Sequence, residues 1–526
     1  MTHIRTILQS AIFLFALSCS AQTLTLVKDI NPSSASSLIT SPQIWGDRAF
    51  MGATTATAGT EPWSTNGTTT TQTMDIWPGV QNSNPRFHTV FMDHLVFSAR
   101  KNGAMGDRLY AIPKASATIH EVVPINFPGA YGGEKATEIL GLYAHQNKLY
   151  VATNANGTGA ELHVWQTTPG PQFMTGAYGG VGNAGNAGSP LGALGGALGG
   201  AYTPTKDWYW LGIIRDINPN GGSDPEAFIT FNDKVYFTAD NGTNGREQWV
   251  TDGTSIGTSL VKDINPGAVS SGINGFVIMG SKLYFTATTA SHGSELWFTD
   301  GTTAGTLLVK DINTKKASTL VSVTGPTQGS SPKGLTVWSN KLYFSADNGT
   351  NGNELWVSDG TAAGTTMIKD INATGNSDPK CFSGYAVKGL VNGVSVNKVY
   401  LAFAANDGVN GEELWRTDGT AAGTVLLKDL KAGSGGSSPT ELVALTTTTG
   451  LSDGTYYYSA IGGTNGRELW EFKATTGAHR KIAPAVAPNA DPLGKANNFP
   501  WVVMNNAMYF YANYDSNGGE LWKVTR

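Results

Sequence analysis

Oxygen-bearing side chains recur at fixed places along this chain, and they are the first candidates for chemistry. The stretch Ala239-Asp240-Asn241-Gly242-Thr243-Asn244-Gly245-Arg246-Glu247 returns, with changes, at 346–354, 405–413 and 512–520. A segment so rich in Asp and Asn can present several oxygens to a hard cation. Calcium is therefore the ion to consider, with Asp240, Asp347 and Asn406 as first ligands. The same residue types also bond their own backbone and tolerate left-handed turns. In two other copies Thr288 and Ile461 stand where Asp240 does, which favours the turn reading.

A second set is the Glu that opens each Glu-Leu-Trp, at 295, 354, 413, 468 and 520, and the Asp of Asp-Ile-Asn at 216, 263, 311 and 370. A catalytic group is needed once, whereas these appear in nearly every copy. A repeated carboxylate points instead to buried backbone groups or a nearby cation, for which Lys262, Lys310 and Lys369 are at hand. The Trp of each copy can serve as a sugar platform, but a fixed place in every copy predicts packing between neighbouring sheets. His88, His94, His120 and His145 show no metal-ligand spacing, and His292 replaces a turn Asn. No nucleophile elbow, phosphate loop or His-Glu-x-x-His motif occurs. No catalytic residue is nominated. A pair of carboxylates assembled from different copies would suit glycoside cleavage. Arg86, Arg100 and Arg108, in the irregular early copies, are the one hint of such a polysaccharide hydrolase or lyase site, and solvated surface positions explain them equally well.

These residues need elements to hold them, and the period of the text supplies them. Within Phe228–Gly267 there are four short runs: Phe228–Phe231, Lys234–Thr238, Glu247–Thr251 and Thr258–Ile264. Asn232-Asp233 separates the first pair and Asp252-Gly253 the last, and Asp-Gly suits tight turns because both central positions tolerate positive φ. Four antiparallel strands per unit is the make-up of a propeller blade. Glu295 to Glu354 and Glu354 to Glu413 are each 59 positions, and Asp-Gly-Thr-x-x-Gly-Thr follows at 252, 300, 359 and 418. Third strands fall at Glu61, Arg108, Glu161, Glu247, Glu295, Glu354, Glu413, Glu468 and Glu520, which predicts about nine blades. The last unit stops at Arg526 without a fourth strand, whereas Leu24–Pro32 reads as a fourth strand lacking the other three. Pairing them closes a ring and removes two exposed edges. The expected fold is an all-β propeller closed by its N-terminal strand.

This recurring text resembles the ELWxxDGT repeat family of exported bacterial proteins, closely from Arg215 to Trp470 and loosely over most of the chain. The resemblance implies a surface or secreted repeat protein and brings no agreed ligand or catalytic residue. The early copies depart from it, with Pro62 in place of Leu and Asn66 in place of the turn Asp.

Bulk properties agree with export. His3 and Arg5 precede an apolar run, Ile12–Leu17, and small residues end at Ala21, as in a signal peptide spanning 1–21. Ala16-Leu17-Ser18 is a poor lead-in for lipidation at Cys19, so cleavage after Ala21 is preferred. Residues 22–526 then form one propeller domain in the periplasm, on the outer surface or secreted, with Cys381 as its one cysteine. No later stretch has the ~20 apolar residues of a membrane helix. A net charge of −4 and the absence of Lys/Arg clusters argue against nucleic acid. One Gly/Ala-rich insert, at about 175–205, breaks the third unit between its third and fourth strands, and a shorter expansion lies at 314–333. Long loops of this kind are functional or linker-like. The function expected is a monomeric, non-enzymatic binding or scaffolding propeller engaging a protein or surface glycan, with an extracytoplasmic polysaccharide hydrolase or lyase, its one site at the channel mouth, as the alternative.

Overall fold

A computed structural model of the chain describes residues 23–525, apart from 33–35, 102–106, 115–117, 122–137, 155–158, 168–207, 316–327, 392–393, 447–451, 464–465, 483–492, 494–500 and 515–518. The 1–21 segment, the 175–205 insert and most of the 314–333 expansion lie outside the described residues. Among the described residues every regular element is a strand, and the strands form nine antiparallel sheets of four. In chain order, blade 1 runs Thr40–Gln72, blade 2 Arg86–Glu121, blade 3 Glu138–Ile213, blade 4 Glu226–Lys262 and blade 5 Asn274–Lys310. Blades 6, 7 and 8 run Lys333–Lys369, Lys380–Lys428 and Val443–Lys481. Blade 9 takes three strands from Trp501–Thr525 and its fourth from Thr23–Lys28, which pairs antiparallel from Thr23↔Thr525 to Lys28↔Leu521. The nine-blade ring and its closure are as expected.

The strands are nearly continuous in hydrophobicity because both faces of a blade are covered. In the second strand of blade 4, Val235, Phe237 and Ala239 pack with Trp249 against Ile214 and Ile217 of blade 3. Tyr236 points the other way, onto Leu283 of blade 5. Each of the nine interfaces has its own apolar cluster of this kind. A chain of this length therefore needs no single large core.

First strands of neighbouring blades touch each other around most of the ring, so they line its centre. Pairing of the first with the second strand shifts register by a bulge in blades 4 to 7, at Ala227, Gly275, Gly334 and Cys381, all with positive φ. At Gly334 the close approach is visible: a Cβ there would meet the Phe382 ring of the next blade at 3.1 Å. Blade 7 departs from the others by its long first hairpin, Lys380–Val391 with Val394–Asn406.

Candidate functional site: the loop face and the channel

The turn joining third and fourth strands is built by the Asp-Gly-Thr text. Asp300 Oδ1 accepts hydrogen bonds from the Thr302 N–H at 2.9 Å and the Thr302 hydroxyl at 2.8 Å, and the Thr306 hydroxyl donates to the Thr302 carbonyl at 2.7 Å. Asp252, Asp359 and Asp418 repeat the pattern. The threonine bonds hold the carboxyls of Asp300, Asp359 and Asp418 below the usual range. Asn66, a departure in sequence, does the same work by accepting from Thr68 and Thr69 N–H.

The opposite side, the loop face, carries the second-to-third loops and the connections between blades. Here the three calcium candidates act as turn formers. Asp240, Asp347 and Asn406 each accept the N–H two residues on, from Gly242, Gly349 and Gly408 at 2.6–2.8 Å. They belong to blades 4, 6 and 7 and are not brought together. Among the described residues no three His, Cys, Asp or Glu side chains gather as a metal site would require.

The Glu of the third strand is buried and holds the chain as it passes to the next blade. Glu247 accepts the N–H of Ile264 and of Ser271, both at 3.0 Å. Glu295 accepts from Ile312 and Ser330 N–H and from the Ser330 hydroxyl, and Glu354 from Ile371 and Ser377 in the same way. Burial outweighs these bonds and pushes the carboxyls of Glu161, Glu247 and Glu295 up to about 7. The backbone-satisfying role read from the repeats is thus observed, but its suggested lysine partners go elsewhere. Lys262, Lys310 and Lys369 Nζ donate to the carbonyls of Thr306, Thr365 and Thr424, each in the next blade, at 2.7–2.9 Å. Arg215 makes the equivalent bond to Thr258, and Lys523, on the third strand of blade 9, donates to the Gly67 carbonyl of blade 1. The repeated Trp is a packing residue: Trp297, Trp356 and Trp415 are buried against Ile264, Ile312 and Ile371 of the preceding blade.

Blade 2 varies the scheme. Arg108 occupies the backbone register of the Glu, paired with Ala99 as Glu247 is with Ala239. The carboxylate comes from Asp107, one residue earlier, which accepts the Ile139 N–H at 3.3 Å. Its shorter side chain is flanked by Arg86, in contact with Oδ2, and by Arg100 at 3.6 Å. Two of the three arginines that hinted at polysaccharide chemistry therefore serve this junction. The histidines are equally local. His145 bonds Thr230 and Asp233, His292 Nδ1 bonds the hydroxyls of Thr289 and Ser291 in its own turn, and burial keeps His163 and His479 neutral down to about 4.

What sequence reasoning did not supply is the set of residues that line the channel. First strands begin on the loop face, and six of the nine begin with a charged or amide residue, Arg86, Glu138, Glu226, Asn274, Lys333 and Lys380, so the mouth carries mixed charge along part of its rim. Further in, Ile44, Val90, Ile278 and Val337 occupy one equivalent register position, opposite Ala49, Leu95, Leu283 and Leu342. All four are well exposed, at 37–43%, and form an apolar collar. No recurring text marks these strands, so only their position in the ring reveals them.

No family model matches the chain, and no curated protein matches it. Solved structures that resemble it include one of two prolyl endopeptidases studied for inter-domain dynamics, at TM-score 0.36 and 11% identity, covering 82% of this chain and 54% of that one. Oligopeptidase B from Leishmania major gives TM-score 0.34 and 7% identity over 82% and 53%. Sqt1 of Saccharomyces cerevisiae gives 0.34 and 11% over 82% and 92%. The chain spans about half the length of these peptidases.

Proposed function

We propose that this chain is an exported, non-enzymatic binding propeller that engages a protein or a surface glycan through its loop face and channel mouth. The observation that carries this reading is how the polar groups divide. Those that recur, the junction Glu, the turn Asp and the hook Lys, are bonded to backbone or turn groups at the same place in each copy. Those that differ between blades, Arg86, Glu138, Glu226, Asn274, Lys333 and Lys380, open the first strands at the loop face, where Arg86, Glu226 and Lys380 pair with Asp107, Arg246 and Glu412. A mixed-charge rim suits one composite partner, because unlike charges fix its orientation. Export rests on residues 1–21 and on the resemblance to the ELWxxDGT repeat family.

The test is a glycan array and an affinity capture with residues 22–526, each with and without calcium, repeated with Lys333→Glu and Glu138→Lys. A bound protein or polymer that either variant weakens about tenfold, in a salt-sensitive way, is the expected result. Binding that both variants leave untouched would overturn the assignment of the mouth. Loss of binding on calcium removal would restore Asp240, Asp347 and Asn406 as cation ligands.

A further inference from the structure

The junction carboxylates are bonded in a way that a purely structural acceptor does not require. At five junctions the serine hydroxyl that faces the Glu also lies within reach of a backbone carbonyl behind it. Ser223 Oγ is 2.7 Å from Glu161 Oε2 and 3.2 Å from the Ala160 carbonyl. Ser377 Oγ is 2.7 Å from Glu354 Oε2 and 3.2 Å from the Asn353 carbonyl. Ser271 Oγ lies 3.3 Å from the Arg246 carbonyl, with its N–H on Glu247. Ser83 Oγ lies 3.1 Å from the Thr60 carbonyl, with its N–H on Glu61, and Ser37 Oγ lies 3.0 Å from the Gly519 carbonyl next to Glu520. A hydroxyl has one proton and two lone pairs, so each of these serines has two complete bonding arrangements.

We propose that these Glu–Ser pairs are proton-storing latches, which take up protons between neutral and mildly acidic pH and tighten the ring as they do so. With the Glu ionised, the serine donates to Oε2. When a proton from solvent adds to Oε2, the new O–H donates to Ser Oγ, and the serine proton turns to the carbonyl behind. The two backbone N–H groups keep their oxygens throughout, so neither state leaves a buried group unmade. The cost of a buried charge is removed in the protonated state, and that relief outweighs the weaker hydrogen bonds made to a neutral acid.

The surroundings favour the neutral form. Asp216 stands beside Glu161 and Asp263 beside Glu247, both like charges, and burial is the largest influence on each Glu. His163, two residues from Glu161 on the same strand, is held neutral by burial. The nearby cations are turned away: Lys262 and Lys310 are bonded to the next blade, and Arg246 reaches Glu226 and Asp224. The sign follows from the shifts. Glu161 and Glu247 hold their protons up to about 7 in the fold, against 4.5 for an ordinary Glu. Between those values the folded chain binds more protons than the unfolded one, so these groups add stability as pH falls through that window and lose it as pH rises. His94, His120, His163 and His479 act oppositely, since each is lowered from 6.5. The latches are therefore read from the difference between variants and not from the melting temperature alone.

The experiment is thermal and denaturant unfolding of the full chain, with Glu161→Gln and Glu247→Gln, between about pH 5 and about pH 8. Each variant should reduce the proton uptake on folding in this range by about one proton. Infrared titration of the folded native chain should show the C=O band of protonated carboxyl growing as pH falls from about 8 to about 5.5, and less of it in each variant. An unchanged pH slope in both variants would overturn the latch. So would a native band that rises only below about pH 4.5, and this titration decides the matter even if the variants do not fold.

Discussion

At the scale of single residues, the repeated text is a set of instructions for turns and junctions, and Gly305 shows how tight they are. A Cβ on Gly305 would stand 2.1 Å from Asp300 Oδ1, the atom that accepts both Thr302 bonds. Gly257, Gly364 and Gly423 are in the same contact with Asp252, Asp359 and Asp418, which is why the last Gly of the motif does not vary. Gly305→Ala should cost about 1–3 kcal/mol in thermal unfolding, because the carboxylate must leave the turn it organises. Ile256→Ser, in the equivalent turn of blade 4 and 97% exposed, should stay within about 0.5 kcal/mol of the native chain. Equal losses in both would show that the turn is not held by its carboxylate. The turn, the buried Glu and the buried Trp were all legible in sequence, since each is a local or periodic signal. The lysine hooks were not, because Lys310 and its carbonyl partner Thr365 are 55 positions apart and nothing local pairs them. Nor did the sequence show that Asp107 replaces a Glu from the neighbouring position.

At the scale of elements, the fourth strand of blade 9 bears more than its share of the ring. Thr23–Lys28 covers the edge of Glu520–Thr525, and the Ile30 N–H just beyond it donates to Glu520 at 2.8 Å. Ile30 also lies in the cluster that seats Trp63 of blade 1. Removing residues 22–31 strips an edge, a junction and an interface at once. Such a chain should melt at a lower temperature and self-associate through the bare strand, as exposed edges do. A synthetic peptide of residues 22–32, added in trans, should restore both the melting temperature and the monomer. Failure of the peptide to restore either, with the native chain intact, would show that closure is not what this strand supplies. Closure was readable because a fourth strand without a blade and a blade without a fourth strand stand at opposite ends of the text. The first strands were hard to read for the converse reason. They face the channel on one side, so side chains such as Ile44, Val90, Ile278 and Val337 are free of the packing that keeps the other strands alike.

At the scale of the whole molecule, a ring in which every interface has its own cluster has no privileged beginning. The present ends meet between the third and fourth strands of blade 9, where Thr525 pairs with Thr23. In four other blades that position is spanned by Asp-Gly-Thr-x-x-Gly-Thr. Joining Thr525 to Thr23 through a copy of Asp300–Thr306, and opening the chain between Ser255 and Ile256, should move the closing strand from blade 9 to blade 4. The new ends would fall in a turn where Ile256 is exposed, and the backbone bond that spans the cut, Thr258 N–H to the Ser255 carbonyl, is long at 3.4 Å. The permuted chain should fold as a monomer with native strand content and a melting temperature within a few degrees of the original. A permuted chain that aggregates would mean that assembly must start or finish at blade 9, so that the ring has a seam. The charged mouth and apolar collar are built from six blades and four blades respectively, so they too should survive the move. Any partner that binds there should bind both chains alike, which separates a site made by the ring from one made by its ends.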